Sequence, residues 1–437
     1  MSMHAGRVPL PPGEVKAEWC TASMGDLRYA TYRIYFQVTQ EAPVEFDLTP
    51  EQQAYRDEVE AFLDEHVTPE VGDVCRENMA QIVDTPPRRA FMRKLAERGW
   101  LGMSWPRELG GQDKEGVYEY IINEALARRG CPQIGKGVGI IGKTLIRHGS
   151  EKLQKEFLPQ ILNAEVEFAV GYSEPQAGSD AANMQLKAEK VAGGWRLNGQ
   201  KTWTTSAHFA DWYWLGARTD PDKPKHHGIS LFLIPMDHEG LEVRGMPTIG
   251  DELTNEVFFN DVFVPDDYLV GERGSGFRYI AEALDLERFT MFTYSPTEQR
   301  LEELIDYVKG AQRDGKPLRE DPRVRHCIAG LVTDAEVARV MGLKFVHAAG
   351  QVGKKPPTVE ASKYKLFATQ LSQRVGNAMM DLAGADGQCR VHTEDAPMRG
   401  RPEMSYRYSV IDTIGGGASE IQKNIIARRG LGLPKNF

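Results

Sequence analysis

GYSEPQAGSD at residues 171–180 and KTWTT at residues 201–205 are the two most informative segments of this 437-residue chain. The first segment is rich in hydroxyl groups, glycine and acids, which are seldom buried without partners. Its backbone and hydroxyl groups suit a polar, planar ligand that needs many directional hydrogen bonds. In the second segment Trp203 stands among threonines, so that a flat apolar face lies beside hydroxyl donors. Together the two segments predict a binding site for a planar, polar ligand.

The chain before residue 166 has the periodicity of helices. A helix is predicted to start near Leu48, because Thr49 can cap it, Pro50 suits its first position and Gln52 completes a capping box. Further helices are predicted over residues 88–98, 117–129, 137–148 and 152–161. We therefore predict an N-terminal helical domain over residues 46–165. Residues 1–45 are expected to be a leader that is disordered or begins at a misassigned start.

The chain from residue 166 to residue 275 has the pattern of short strands. Strands are predicted over residues 186–191, 195–197, 201–205, 213–217, 229–234 and 257–263. Gly193-Gly194 and Asn198-Gly199 are predicted to be hairpin turns, because these residues tolerate a positive φ. This part of the chain is therefore predicted to be a small middle β domain.

The helical period returns after residue 276, in longer segments. Helices are predicted over residues 277–293, 298–311, 324–349, 359–382 and 420–427. Long helices joined by short connections favour an antiparallel four-helix bundle. Residues 276–437 are thus predicted to form a C-terminal helical bundle, and the fold class is mainly α with a central β domain.

The composition excludes several classes of protein. A net charge of −9 argues against a nucleic acid as the main partner, because binding a polyanion needs a basic surface. No stretch approaches the roughly 20 apolar residues that span a bilayer, so membrane insertion is not expected. The five cysteines are scattered without a CxxC pair, which indicates neither a metal site nor a disulfide framework. Free thiols fit a reducing compartment, and a cytoplasmic location is expected.

The two opening segments, in this order and spacing, resemble the flavin-binding signatures of the acyl-CoA dehydrogenase family. The order of helical domain, β domain and helical bundle is also that of this family, and the resemblance covers about residues 46–435. It implies an FAD-dependent enzyme that converts an acyl-CoA thioester to the 2-enoyl-CoA and passes electrons to an electron-transfer flavoprotein. The chain is similar to bacterial members that degrade lipids or steroid side chains.

An α-proton base is predicted on the helix over residues 277–293. At about 100° per residue, Glu287 falls on the same narrow stripe as Ile280, Leu284 and Met291. Burial on an apolar face would raise the pKa of a carboxyl toward the working range of a general base. The alternative is a buried ion pair between Glu287 and a neighbouring helix.

The segment TIGGGASEIQ at residues 413–422 resembles the C-terminal motif of the family. Many members carry a catalytic glutamate where this chain has Gly416. Isovaleryl-CoA dehydrogenase and its relatives carry the base instead within Leu-Asp-Leu-Glu-Arg, which recurs here at residues 284–288. The resemblance therefore implies that Glu287 is the base, that Asp285 and Arg288 lie near the substrate, and that the backbone N–H of Gly416 polarises the thioester carbonyl.

The resemblance also implies the other contacts of the site. Residues expected to contact the flavin are Tyr172, Ser173, Trp203, Thr204, Thr205, Ala418, Ser419 and Glu420, and Ser179 is expected along the CoA arm of the substrate. Arg313 and Gly384 are expected to reach the flavin of a neighbouring subunit. These two residues imply a homotetramer arranged as a dimer of dimers, with a hetero-oligomer as the alternative.

Two other functions remain open from the sequence. One is a flavoenzyme of the same fold that uses oxygen, either an oxidase or a monooxygenase. Glu287 favours the dehydrogenase, because flavin monooxygenation needs no base at Cα. The other is a non-catalytic subunit of a hetero-oligomeric dehydrogenase, which the absence of a glutamate at Gly416 suggests.

Overall fold

The computed structural model describes residues 48–76, 83–291, 293–349 and 357–434, with side chains throughout except at 285–291 and 349. The predicted leader, residues 1–45, lies outside the described residues. Residues 50–437 form one contact unit. Within it the described strands of the main sheet lie between residues 168 and 270, with helical segments before and after them.

Helices precede the sheet, as the sequence predicts. They are α1 (Pro50–His66), α2 (Pro86–Glu97), α3 (Gly116–Arg128), α4 (Lys143–His148) and α5 (Glu151–Leu162). The first helix begins at Pro50 and buries Tyr55, Val59, Phe62 and Leu63, which recur at helical spacing. The segment Gly137–Gly142 is a π-helix that continues into α4, and all but its first residue are buried. π-helical turns are uncommon and often occur at functional sites.

The described strands of the middle segment form one twisted sheet. They are β1 (Phe168–Gly171), β2 (Lys187–Val191), β3 (Gly194–Lys201), β4 (Trp212–Arg218), β5 (Ile229–Pro235), β6 (Leu241–Pro247), β7 (Leu253–Pro265) and β8 (Leu269–Val270). Their order is β6-β7-β3-β2-β4-β5-β8, and β1 pairs in parallel with β4. Residues 229–234 of β5 are all buried, because protein covers both faces of this strand.

Two details of the predicted strands are wrong. Asn198-Gly199 is not a hairpin turn but lies inside β3, where the register to β7 shifts between Leu197 and Gly199. An Asn-Gly pair permits a bulge as readily as a turn, and the long partner strand β7 decides between them. The predicted strand over residues 201–205 ends at Lys201, and beyond it Trp203 adopts a φ of 56°, in the left-handed region that extended strands seldom contain. The predicted hairpin between β2 and β3 is present, but its turn lies at Ala192-Gly193, one residue earlier than predicted, and Gly194 already pairs with Val191.

Helices follow the sheet, in the order α6 (Gly276–Met291), α7 (Ser295–Gly310), α8 (Pro322–Ala349), α9 (Thr358–Ala383), α10 (Arg401–Asp412) and α11 (Ser419–Ile425). Two short strands, β9 (Gln312–Arg313) and β10 (Lys316–Pro317), form a hairpin after α7. Helix α9 packs against α7, α8, α10 and α11. The sequence did not predict α10, which is polar and depends on tertiary ion pairs: Arg401 is buried and bonds Glu303, and Arg407 bonds Asp251.

Helix α6 is seated on the sheet by a close backbone approach. A Cβ at Gly276 would lie 2.7 Å from the carbonyl carbon of Ser230 in β5, so only glycine fits there. Further along α6, Tyr279, Ile280 and Ala283 are buried, and the helix also packs against the π-helix, α3 and α9. The sheet and the bundle thus fix the direction of α6.

The π-helix depends on the small volume of Gly142. A Cβ at this position would overlap the ring of Trp105, which is fully buried and cannot move aside. We predict that Gly142→Ala lowers the free energy of unfolding by about 1–3 kcal/mol, the usual cost of overpacking. Gly310→Ala is the control, because an added Cβ there meets no atom within 4 Å. Equal denaturant midpoints for the two variants would contradict the prediction.

Candidate functional site

A buried ion pair joins the two segments singled out in the sequence. Lys201 Nζ lies 2.8 Å from Glu174 Oε1, and both side chains are excluded from solvent. The same carboxylate accepts the backbone N–H groups of Gln185 and Leu186 at 2.6 and 2.8 Å. Burial lowers the pKa of Lys201 to about 8, while the charge of Glu174 acts in the opposite direction. The pair therefore fixes the end of β3 to the turn that follows β1.

A second set of buried hydrogen bonds holds the segment around Trp203. The N–H of Thr202 donates to the carbonyl of Ser173 at 3.0 Å, and the N–H of Thr204 donates to the carbonyl of Asn255 at 2.9 Å. Asn255 Nδ2 in turn donates to the carbonyl of Thr204 at 2.8 Å. These bonds hold Trp203 in the left-handed region of φ, although its ring is 64% exposed.

The geometry at Trp203 leaves a flat apolar ring uncovered. A non-glycine residue with positive φ is strained, and such strain persists only where the surrounding structure enforces it. Here the enforced conformation presents a large apolar ring to solvent, which costs hydrophobic free energy unless a ligand covers the ring. Ser173 is partly exposed, and its carbonyl is bonded to the Trp203 segment. A flat face and a hydroxyl thus occur together, as the flavin prediction requires.

The other predicted contacts of these segments differ in exposure. Thr204 is fully buried and its hydroxyl lies 2.8 Å from Tyr213 OH, so its side chain holds the segment in place. Thr205 and Tyr172 are partly exposed, and the Tyr172 hydroxyl accepts the indole N–H of Trp214 at 2.7 Å. Ser179 is exposed at the end of the first segment.

The glycine turn before α11 is held from several sides. The N–H of Gly415 donates to the carbonyl of Ile411 at 2.9 Å, and the N–H of Ser419 donates to the carbonyl of Thr413 at 3.0 Å. Gly416 and Gly417 adopt φ angles of 64° and 92°, which favour glycine. Their N–H groups donate to no acceptor among the described residues. The turn therefore presents two unused backbone donors. After it, Ala418 is partly exposed, Ser419 is buried and Glu420 is exposed.

Glu287 belongs to the last turns of α6, and its side chain lies outside the described residues, as do those of Asp285 and Arg288. The start of α6 and the start of the next helix, α7, are both held by other elements. Beyond the C-terminus of α6, Glu124 of α3 accepts the N–H groups of Tyr294 and Ser295 at 3.3 and 3.0 Å. Burial raises the pKa of Glu124 to about 7, although these hydrogen bonds act to lower it. The sequence analysis missed Glu124, whose only signal was a carboxylate in an otherwise apolar stretch of α3.

Arg313 and Gly384 lie next to each other at the C-terminus of α9. Arg313 Nη2 donates to the carbonyls of Asp381 and Leu382 at 2.8 and 3.0 Å, which satisfies acceptors that a helix end leaves open. Gly384 follows with a φ of 66° and is exposed. The two segments predicted to face a neighbouring subunit are thus joined within the chain.

No helix in the ranges that the structure describes is long and apolar enough to cross a bilayer. Four described cysteines, Cys75, Cys131, Cys327 and Cys389, are free thiols. Cys20 lies outside the described residues.

Comparison with known sequences gives consistent matches along the chain. The family models for the N-terminal, middle and C-terminal domains of acyl-CoA dehydrogenases match residues 49–165, 169–262 and 274–431. Acyl-CoA dehydrogenase FadE26 of Mycobacterium tuberculosis is 30% identical over 407 residues, which cover 89% of this chain and 98% of that protein.

Comparison with solved structures agrees. A structure titled Tcur3481-Tcur3483 steroid ACAD is 29% identical, with a TM-score of 0.81, and the match covers 90% of this chain and all of that one. The ChsE4-ChsE5 complex from Mycobacterium tuberculosis is 29% identical, with a TM-score of 0.80 over the same shares.

The buried pair gives a stability test. We predict that Glu174→Gln lowers the free energy of unfolding by about 3–5 kcal/mol, because it leaves the Lys201 ammonium buried without a countercharge. Asp180→Asn is the matched control in the same segment, since the pair of Asp180 with Lys225 is solvent-exposed. Exposed pairs contribute about 0–1 kcal/mol. Denaturant unfolding that gives both variants similar losses would refute the role of the buried pair.

Glu124 gives a pH test. Its carboxyl titrates near pH 7 when folded and near 4.5 when unfolded, so the folded chain binds the extra proton between these values. The contribution of this group to stability is therefore complete below pH 4.5 and is lost as pH rises through 7, by up to about 3 kcal/mol. Glu124→Gln cannot titrate, so its stability relative to wild type is predicted to increase from pH 5 to pH 8. Glu115→Gln is the control, because Glu115 is exposed and immediately precedes α3. Parallel curves of unfolding free energy against pH for the wild type and both variants would exclude the effect of Glu124.

Proposed function

Because this chain belongs to the acyl-CoA dehydrogenase family, whose members depend on FAD, we propose that it introduces a 2,3 double bond into an acyl-CoA with Glu287 as the α-proton base. The observation that carries the proposal is the exposed ring of Trp203, held in a strained conformation by buried hydrogen bonds. A flat ligand that covers this ring would offset the cost of exposing it.

FAD, when bound, accepts the hydride that leaves Cβ of the substrate. We propose that Trp203 and Thr205 flank one part of the flavin ring and that Tyr172 and Ser173 flank another. The residues Ala418, Ser419 and Glu420 are proposed to contact the distal part of the cofactor, and Ser179 the CoA arm. Support comes from the ion pair and the backbone hydrogen bonds at the end of β3, because they connect the segment that carries Tyr172 and Ser173 to the segment that carries Trp203 and Thr205.

Glu287 is proposed to remove the proton from Cα. Support comes from its position on α6, whose start is seated on β5 and whose C-terminal continuation is held by Glu124. A helix that is seated at its start and followed by a held segment can keep a base at a constant distance from the substrate, as proton transfer requires. Asp285 and Arg288 are proposed to contact the substrate or to orient Glu287.

The glycine turn is proposed to stabilise the negative charge that develops on the thioester oxygen. Support comes from the unused N–H groups of Gly416 and Gly417, since fixed donors lower the barrier where charge appears. A glutamate is absent at 416, so the space beside this turn is proposed to admit a bulky, ring-bearing acyl group. The steroid ACAD among the similar structures supports this choice over a straight chain.

Electrons are proposed to pass to an electron-transfer flavoprotein, and a cytoplasmic location is proposed on the basis of the free thiols. The rival enzyme that uses oxygen is excluded if the reduced protein reoxidises slowly in air.

Two assemblies are possible, a homotetramer and a hetero-oligomer with a related chain. The hydrogen bonds of Arg313 favour the second, because they hold the guanidinium at the end of its own α9 instead of leaving it free for the flavin of a neighbour. Two similar structures are complexes of two different chains, which supports the same choice. In either case the region around Arg313 and Gly384 is proposed to face the neighbour.

The base is tested by Glu287→Gln. Loss of a general base commonly lowers a rate by about 10²–10⁴, so anaerobic flavin reduction is predicted to fall by that factor while acyl-CoA still binds. The substrate is chosen by scanning straight, branched and steroid-side-chain acyl-CoA thioesters, and the ring-bearing group is predicted to reduce the flavin fastest. Glu282→Gln is the control on the same helix, since its carboxylate bonds His148 at 2.8 Å. Wild-type reduction rates in Glu287→Gln would rule out this base.

The assembly is tested by its flavin content. Expressed alone, the chain is predicted to hold fewer than one FAD per chain, because copies of itself lack the arginine contact to a neighbour's cofactor. Light scattering and absorbance at the flavin band give the mass and the ratio. A stable homotetramer with one FAD per chain would contradict the hetero-oligomer.

A further inference from the structure

Lys365 is a buried lysine that the proposed reaction does not use. It lies on α9, is fully excluded from solvent, and is flanked by the buried side chains Ala361, Tyr364 and Ala368. A buried ammonium costs several kcal/mol of solvation, so it is retained in proteins where it holds a specific partner. Its Nζ donates to the carbonyl of Gly417 at 2.9 Å. One partner is thus the turn that carries the N–H groups of Gly416 and Gly417.

Gln422 reaches the same turn from α11. This side chain is also fully buried, and its Nε2 donates to the carbonyls of Gly416 and Gly417 at 3.2 and 2.9 Å. A Cβ on Gly417 would come within 2.6 Å of this nitrogen, so the glycine is needed for the close approach. Two buried donors from two helices therefore converge on consecutive carbonyls.

The planarity of the peptide bond converts these contacts into a direction for the N–H groups. In a trans peptide the C=O of one residue and the N–H of the next point to opposite sides. Gln422 holds the carbonyl of Gly416 and so directs the N–H of Gly417 away from itself. The Gly417 carbonyl, which Lys365 and Gln422 both hold, fixes the next peptide and thereby the end of the turn. Before the turn, the N–H of Gly415 donates to the carbonyl of Ile411. The peptide that joins Gly415 to Gly416 carries the N–H of Gly416, and the φ of 64° at Gly416 sets the direction of the chain that follows it.

We propose that Lys365 and Gln422 are positioning residues, which hold the glycine turn so that its free N–H groups face the thioester carbonyl of the bound acyl-CoA. This inference rests on the dehydrogenase proposed above. Lys365 acts through the hydrogen bond from its Nζ to the Gly417 carbonyl. Neither side chain touches the substrate in this arrangement.

The test compares Lys365→Met with Lys363→Met in the FAD-loaded protein. Lys363 is exposed two residues earlier on the same helix and provides the matched control. Methionine keeps the length and removes the donor, and the Gly417 carbonyl still accepts from Gln422. We expect amide hydrogen exchange over residues 413–418 to become about tenfold faster in Lys365→Met and to stay unchanged in Lys363→Met.

The catalytic readout is flavin reduction by the acyl-CoA that reacts fastest in the substrate scan. Loss of an oxyanion donor costs about 10²–10³ in rate, so a displaced donor is expected to lower kcat by about 10- to 100-fold with little change in KM. Normal exchange in Lys365→Met overturns the proposal, and so does faster exchange with an unchanged kcat. If Lys365→Met does not fold, Gln422→Leu is judged by the same two readouts.

Glu287→Gln separates this inference from the proposed function. It is expected to abolish flavin reduction and to leave exchange over residues 413–418 at the wild-type rate. A wild-type reduction rate in Glu287→Gln removes the proposed base, whereas the exchange of Lys365→Met still decides whether Lys365 holds the turn.

Discussion

The ion pair between Glu174 and Lys201 is the contact on which the rest of the site depends. It joins the turn after β1 to the end of β3, and its carboxylate also binds the backbone that leads into β2. A charge buried in this way is destabilising alone, so each partner is stable only while the other is in place. The connection between the two segments is therefore specific, and the segments cannot shift independently.

Trp203 keeps a strained backbone conformation because buried hydrogen bonds hold the residues on both sides of it. The backbone at this residue is held in a conformation that a free chain avoids, and the ring is left exposed. Hydrogen bonds from Asn255 on β7 and the contact of Thr204 with Tyr213 on β4 offset that strain. Three strands of one sheet thus present one apolar ring.

The bundle contributes a second frame on the other side of the proposed site. Helix α6 is seated on the sheet through Gly276, and the chain beyond it is bonded to Glu124. The glycine turn is held by side chains from α9 and α11. Buried polar groups serve the same purpose in both frames, because a hydrogen bond fixes a direction that apolar packing leaves free.

The sequence by itself determined the family and the order of the helical and β segments, because these depend on local patterns of hydrophobicity and on residue types at fixed spacing. It did not determine that Asn198-Gly199 is a bulge, since a turn and a bulge use the same residues and only the partner strand β7 distinguishes them. It likewise gave no reason to single out Glu124, Lys365 or Gln422, whose roles arise from contacts that only the folded chain makes.

A helix such as α10, held by ion pairs to other elements, lacks the apolar stripe by which a helix is predicted. Local periodicity thus specified the elements, and the tertiary structure decided which polar groups are buried together, because the cost of burying them is offset only by partners that the fold brings into contact.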